Sequence, residues 1–193
     1  FATPGPDMSL FLSRTMAGGR RAGIASMLGA SLGTLIHTAL AAVGLSALIA
    51  ASPTAFLVIK IAGALYLAWL AVDAIRNGSA LNVRSEGGRE MPVTRVFWLG
   101  VMVNLSNPKV VLFFVTFLPQ FVSASDPFAA GKLAFLGVYF IAFSIPLGIL
   151  MILGAERVVT SLRRRPQIMR MIDYLFAGIF GAFAVKILLT EGR

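Results

Sequence analysis

The stretch "VNLSNPKVVLFF" at residues 103–114 places two asparagines, a proline and a lysine inside an apolar run long enough to span a bilayer. Pro108 has no amide hydrogen, so the Asn104 carbonyl loses its helical partner, and the proline ring drives Asn107 away from helical angles. We therefore predict a helix break with a freed carbonyl, two exposed amide side chains and a new helix that opens toward Lys109. Because a charge at mid-span costs about 2.5–3.5 kcal/mol, this segment should face protein or a wet cavity.

The composition of the whole chain indicates that lipid is its solvent. The chain has 193 residues, of which 58% are hydrophobic and 13% are charged, and its mean hydropathy is +0.85. An average soluble domain carries about 25% charged residues, so a soluble protein of this size could not bury so much apolar surface. The chain has no cysteine and one histidine, which excludes disulfides, thiolate metal sites and clusters of histidine ligands. We expect neither a metal site nor a cofactor.

Six apolar segments bounded by charge predict an all-α integral membrane protein with six transmembrane helices. The segments cover residues 1–16, 24–50, 55–75, 96–118, 133–155 and 171–190. Twelve of the 17 basic residues lie in or beside three alternate loops, over residues 17–23, 76–95 and 156–170. Since basic loops remain cytoplasmic, these three loops are predicted inside and both chain ends outside. This distribution accounts for the net charge of +9, and we expect no nucleic-acid partner.

A second proline motif lies near the start of the chain, where residues 3–7 read "TPGPD". The first segment begins at Phe1 and is short for a span, so we expect about 10–15 upstream residues to be missing from the first helix. On that reading the motif interrupts helix 1 as Pro108 interrupts helix 4. Helices 1–3 and 4–6 would then be two inverted three-helix repeats within one transmembrane domain over residues 1–193. Paired interrupted helices in an inverted repeat indicate the central site of a transporter.

Three strings together resemble one family of membrane proteins. They are "TPGPD" (3–7), "KIAGALYLAWL" (60–70) and "NLSNPKVVLFFVTFLPQFV" (104–122). They resemble the lysine exporter and homoserine/threonine resistance (LysE/RhtB) family over essentially the whole chain. The resemblance implies a multi-pass protein of the bacterial inner membrane that forms a homodimer and exports amino acids or close derivatives, coupled to an ion gradient. It also gives weight to the two proline motifs, that is, to Pro4, Gly5, Pro6, Asp7, Asn107, Pro108 and Lys109.

The residues of the two motifs suit a zwitterionic substrate. Helix N-termini after Pro6 and Pro108, together with Lys109, would attract a carboxylate. Freed carbonyls, Asp7 and the amides of Asn104 and Asn107 would accept hydrogen bonds from an ammonium group. Asp7 is also the candidate carrier for coupling to the proton gradient. The alternative is that Asp7 and Lys109 pair with each other and hold the two broken helices together.

Two further residues are candidates for a proton relay or a substrate path. His37 ends a stripe of small residues spaced by four, which continues through Gly33, Gly29 and Ala25. Such a stripe favours close helix packing, and His37 would either relay protons or make a packing hydrogen bond. Tyr66 lies in the third segment and either lines a substrate path or packs against its neighbours.

Other functions are less compatible with the chain. "GASLG" at residues 29–33 matches the G-x-S-x-G form of serine hydrolases, but Ser31 and His37 lie on different sides of one helix, about 9 Å apart along it. An exporter of metal cations would need several intramembrane acids, thiols or histidines. An exporter of another small solute and a non-transporting scaffold are the remaining alternatives, and the scaffold leaves both helix breaks without a purpose. We expect a transporter and not an enzyme.

Overall fold

The computed structural model describes residues 5–76, 91–123, 126–155, 157, 159, 160 and 166–191. Over these residues the chain is helical and contains no strand. The α-helices with described ends are α1 (Pro6–Ala51), α2 (Pro53–Arg76), α3 (Val93–Leu105), α4 (Pro108–Leu112), α5 (Ala129–Leu153) and α6 (Pro166–Glu191). A π-helical turn, Phe113–Phe117, and a 3₁₀ turn, Leu118–Phe121, continue α4 toward α5.

Helix α1 is a hairpin of two arms. Its 46 residues would extend about 69 Å if straight, more than twice the hydrocarbon thickness of a bilayer. The backbone leaves helical angles at Gly18 and Gly19, and Gly19 has φ +74°, a value that favours glycine. Asp7 and Thr34 both contact Asn104, although a straight helix would separate them by about 40 Å. The first arm, residues 6–17, therefore folds back along the second arm, residues 20–51.

The described helix ends correct two of the predicted loops. The predicted loop 17–23 contains the turn but is too long, because residues 20–23 are helical and only the two glycines separate the arms. The predicted loop 156–170 is too long at its end, because α6 already begins at Pro166. Within the predicted loop 76–95, residues 77–90 lie outside the described ranges and α3 begins at Val93.

The lengths and compositions of the described helices support part of the predicted membrane topology. Three helical stretches are long and apolar enough to cross a membrane, namely Pro6–Leu48, Thr54–Arg76 and Ala129–Leu153. The pair Val93–Leu105 and Pro108–Phe121 adds a fourth span if it crosses as one unit, with a bend of 52° between its two parts. The described part of the protein is thus all-helical with several membrane-span candidates, and the arrangement as two inverted repeats stays a prediction.

The helices pack in two groups, with α1 against α3 and α5, and with α2 against α6. The second arm of α1 lies close against α3. A Cβ added at Gly29 would overlap the backbone carbonyl of Phe97, and one added at Gly100 would overlap the carbonyl of Ser26. These reciprocal contacts bring the two backbones together, as small residues do between helices in lipid. The predicted packing role of Gly29 in the small-residue stripe is confirmed.

Candidate functional site

The two proline motifs meet through the side chain of Asp7. Oδ2 of Asp7 accepts hydrogen bonds from Nδ2 of Asn104 at 3.0 Å and from Nδ2 of Asn107 at 3.1 Å. Asp7 lies in the first turn of α1, whereas the asparagines lie at the end of α3 and just after it. The other carboxylate oxygen, Oδ1, is buried and has no hydrogen-bond partner among the described residues. The carboxylate is thus held in place by one oxygen, and the second oxygen keeps its capacity to accept a hydrogen bond.

Asn104 also ties this carboxylate to the second arm of α1. Its side chain is fully buried, and its Oδ1 lies 3.4 Å from the Thr34 hydroxyl, whose single hydrogen also points to the Ala30 carbonyl at 2.9 Å. Gly33 lies against the same side chain, since a Cβ there would come within 2.6 Å of Asn104 Oδ1. The absence of a side chain at Gly33 leaves the space that Asn104 occupies.

The backbone between α3 and α4 corrects one prediction about the helix break. The Asn104 carbonyl is not free, because the amide of Asn107 donates to it at 3.1 Å. Asn107 has the extended backbone that a following proline favours, with ψ 107°. Its Oδ1 accepts from the Lys109 amide at 3.1 Å and so caps α4. The Lys109 amide is used by the cap, and the Asn104 carbonyl already accepts one hydrogen bond, so the side chains of the break are its main contribution to the cavity.

A cavity of about 250 Å³ opens beside Asp7 and the asparagines. Its walls come from both arms of α1, α2, the α3–α4 break with the π-helical turn, α5 and α6. The polar lining residues are Asp7, Thr34, Tyr66, Asn104, Asn107, Lys109 and Ser144. The other lining residues are Gly5, Met8, Leu67, Leu70, Val110, Phe113, Phe114, Phe140, Phe143, Leu147, Phe176 and Phe180.

The structure brings most of the predicted site residues to this cavity. Gly5, Asp7, Tyr66, Asn104, Asn107 and Lys109 all line it. Pro6 and Pro108 begin α1 and α4 but do not line the cavity, and Pro4 lies outside the described residues. The proline rings set the positions of their neighbours and leave the cavity surface to other side chains.

His37 lies behind the cavity wall. Its ring stacks on Phe114, which does line the cavity, with 5.6 Å between the ring centroids. His37 is buried, and its Nε2 has no hydrogen-bond partner among the described residues. Within the described residues, a packing hydrogen bond of His37 is therefore not made through Nε2.

Lys109 reaches the same cavity as Asp7 without forming an ion pair with it. In the part of the chain that the structure describes, both oxygens of Asp7 are accounted for and neither contacts the ammonium group. The carboxylates that interact electrostatically with Lys109 are instead Asp173 on α6 and Asp73 on α2. The alternative in which Lys109 and Asp7 pair to join the broken helices is wrong for this conformation. A negative and a positive group therefore line one cavity separately.

Sequence reasoning missed the aromatic part of the wall and two hydroxyl residues. Thr34 and Ser144 are buried polar residues on otherwise apolar helices, a signal that the sequence does contain. The phenylalanines give no such signal, because a helix that is apolar on every side does not indicate which residues face the interior.

The alternative chemistries find no support in the described residues. The Ser31 hydroxyl donates to the Met27 carbonyl one turn earlier, at 3.0 Å, instead of contacting a base. A search of the described residues for three or more His, Cys, Asp or Glu side chains placed to hold a metal ion finds no such group.

The family of the chain is given by comparison with known proteins. A model of the LysE type translocator matches residues 1–191. The chain belongs to this family. LysE type translocators are transporters, so this translocator is a membrane transport protein and not an enzyme, and the resemblance found in the sequence motifs is confirmed.

Several individual proteins are similar to this translocator over nearly its whole length. A homoserine/homoserine lactone efflux protein of Salmonella typhimurium is 30% identical over 191 residues, which cover 99% of this chain and 90% of that protein. A leucine efflux protein of Klebsiella pneumoniae is 29% identical over 199 residues, covering 95% of this chain and 87% of that protein. An uncharacterized membrane protein of Escherichia coli is 29% identical over 198 residues, covering 100% and 85%. No solved structure matches the chain.

Proposed function

We propose that this translocator exports amino acids or close derivatives from the cytoplasm across the bacterial inner membrane, with the cavity as its substrate site. The observation that carries the proposal is that Asp7, with its unpartnered Oδ1, and Lys109 line the same cavity of about 250 Å³. A free amino acid at neutral pH carries an ammonium and a carboxylate group. Asp7 would accept from the ammonium, and Lys109 would attract the carboxylate.

The size of the cavity supports a small substrate. Pockets for drug-sized ligands usually measure about 300–1,000 Å³, and this cavity is smaller. A single amino acid matches such a space better than a peptide does. The names of the relatives, which include homoserine and leucine efflux proteins, point to the same class of substrate.

The membrane arrangement that we propose has six spans in two inverted three-helix repeats. The glycine pair in α1 would separate spans 1 and 2, and the bend between α3 and α4 would interrupt span 4. Asp7 from the first half and the asparagines from the second half share one hydrogen-bonded cluster, which suits a site between two repeats. Homodimerisation is part of the proposal through the family resemblance.

Coupling to the proton gradient is the finer part of the proposal. Asp7 is a carboxylate on the cavity wall, and it interacts electrostatically with His37. A carboxylate on the transport path can carry a proton. We propose Asp7 as the proton carrier and His37, behind the cavity wall, as a relay residue.

The test is amino-acid counterflow in proteoliposomes that contain the purified full-length protein. Wild-type protein should exchange labelled amino acids, and Asp7→Asn should lower the rate by about a hundredfold, because a neutral amide no longer pairs with the ammonium. Asp126→Asn is the matched control. The Lys132 ammonium and the Phe128 amide hold the pKa of the Asp126 carboxyl below its ordinary value, so this residue is an ionised aspartate away from the cavity.

Counterflow in wild type and Asp126→Asn but not in Asp7→Asn supports the proposal. Absence of counterflow for every amino acid in folded wild-type protein would overturn it. To test proton coupling, uptake of the labelled amino acid is measured with and without a pH gradient. Equal uptake rates at no gradient and at a gradient of two pH units would exclude protons as the coupling ion.

A further inference from the structure

We propose that the phenylalanines on the cavity wall form a side-chain subsite that selects amino acids with large apolar side chains. This inference rests on the proposed function and specifies the substrate class of the same site. The subsite, called the phenylalanine wall below, consists of Phe113, Phe114, Phe140, Phe143, Phe176 and Phe180.

The phenylalanine wall comes from three separate elements that surround the cavity. Phe113 contacts Phe114 within the π-helical turn at 5.6 Å between ring centroids, and it contacts Phe140 of α5 at 5.2 Å. On α6, Phe176 and Phe180 lie one turn apart, with 5.9 Å between their centroids. Burying apolar substrate atoms against such surfaces is favourable in proportion to the area removed from water.

The described cavity lining contains no second acid that could pair with a basic side chain of the substrate. Asp7 is the only acidic residue among the described residues that line the cavity, and its Oδ2 is already used by two asparagine amides. The remaining oxygen, Oδ1, can serve one ammonium group. The side-chain ammonium of a bound lysine would therefore lie against apolar rings without a carboxylate, which is costly.

Small and hydroxylated side chains gain less from the same surface. Alanine has too few apolar atoms to cover the rings, and the hydroxyl of homoserine replaces apolar area with a group that needs its own hydrogen bonds. The expected order is leucine and phenylalanine first, homoserine next, and alanine and lysine last.

The experiment is displacement of radiolabelled leucine from the purified full-length protein by unlabelled amino acids. Phenylalanine and leucine should displace it at concentrations at least about tenfold lower than alanine or lysine, the ratio expected for a few apolar carbons. Displacement of leucine by lysine or alanine at the same concentration as by unlabelled leucine would overturn the inference. In the case of lysine, that result would indicate that the faces of the rings bind a cation. Binding of no amino acid at all would instead refute the proposed function, and the inference with it.

Two variants on α6 connect the preference to the phenylalanine wall. Phe180→Ala should reduce the leucine-to-alanine preference by about tenfold, because it removes a ring from the cavity. Phe183→Ala is the matched control, since Phe183 packs in the same α2–α6 cluster as Phe180 but does not line the cavity. It should leave the preference unchanged.

Phe176→Ala provides a second, independent measurement on the same wall. It should reduce the leucine-to-alanine preference by the same amount as Phe180→Ala. If Phe180→Ala does not fold, Phe176→Ala alone tests the role of the phenylalanine wall. An unchanged leucine-to-alanine ratio in folded Phe176→Ala or Phe180→Ala would overturn the inference, as would an equal loss in Phe183→Ala.

Discussion

At the scale of single residues, the site depends on how Asn104 is held. The Asn104 side chain donates to Asp7 and contacts the Thr34 hydroxyl, so it connects both arms of α1. The space for it exists because residue 33 is glycine. Gly33, which does not line the cavity, thus controls the position of the carboxylate through Asn104.

Gly33→Ala should lower transport without unfolding the protein. The new methyl would displace the Asn104 amide from Asp7, and overpacking of this kind costs about 1–3 kcal/mol of stability. We expect a roughly tenfold lower counterflow rate, as for the loss of one hydrogen bond to a charged group. Gly44→Ala on the same arm is the control, because a Cβ there meets no atom within 4 Å. Equal rates in the two variants would refute this role of Gly33.

Substitutions at Asn107 should separate its two hydrogen bonds. Asn107→Asp keeps an acceptor for the Lys109 amide but replaces the donor to Asp7 with a second carboxylate oxygen. Transport should fall strongly while thermal stability in detergent changes little. Asn107→Ala loses the helix cap as well, which costs about 0.5–2 kcal/mol, so its unfolding temperature should be lower than that of Asn107→Asp. The reverse order of unfolding temperatures would contradict the capping role.

At the scale of elements, the junction between α3 and α4 carries the polar side chains into the cavity. The 52° bend turns the chain at Asn107, and the cap at Lys109 starts the next helix in its new direction. The π-helical turn that follows then places Phe113 and Phe114 on the cavity wall.

Pro108→Ala should therefore abolish most transport while membrane insertion stays normal. Alanine supplies an amide hydrogen and permits the helix to continue through residue 108, which would rotate Asn107 away from Asp7. Pro146→Ala is the matched control, because Pro146 lies inside α5 without ending that helix. Counterflow rates in proteoliposomes give the measurement. Unchanged counterflow in Pro108→Ala would refute the proposal that the helix break forms the site.

The sequence predicted the places where covalent chemistry restricts the backbone. The helix end before Pro108 follows from a missing amide hydrogen, and the grouping of Asp7 with the asparagines was expected from the two motifs. The hairpin turn was misjudged as a longer loop, because Arg20 and Arg21 look like loop residues although they are helical. The phenylalanine wall and the rotation of each helix depend on tertiary packing, which helices that are apolar all round do not reveal.

At the scale of the whole molecule, the charge distribution predicts which side of the membrane each loop occupies. The chain contains no cysteine, so single introduced cysteines can report topology directly. Thr94 and Ala130 are both exposed and lie at the beginnings of α3 and α5. Ala130→Cys should react with a membrane-impermeant maleimide in intact cells, and Thr94→Cys only after the cells are permeabilised. Labelling of both positions in intact cells would refute the predicted topology.

The hydrogen bonds of Asp7 also have a consequence for biosynthesis. Asn104 follows Asp7 by 97 residues, so the carboxylate enters the membrane long before its partners have been made. At translation rates of about 5–20 residues per second, this delay lasts about 5–20 s. During that time the early hairpin carries an acid without its amide donors. The nascent protein is therefore expected to be most vulnerable to membrane proteases before α3 is inserted.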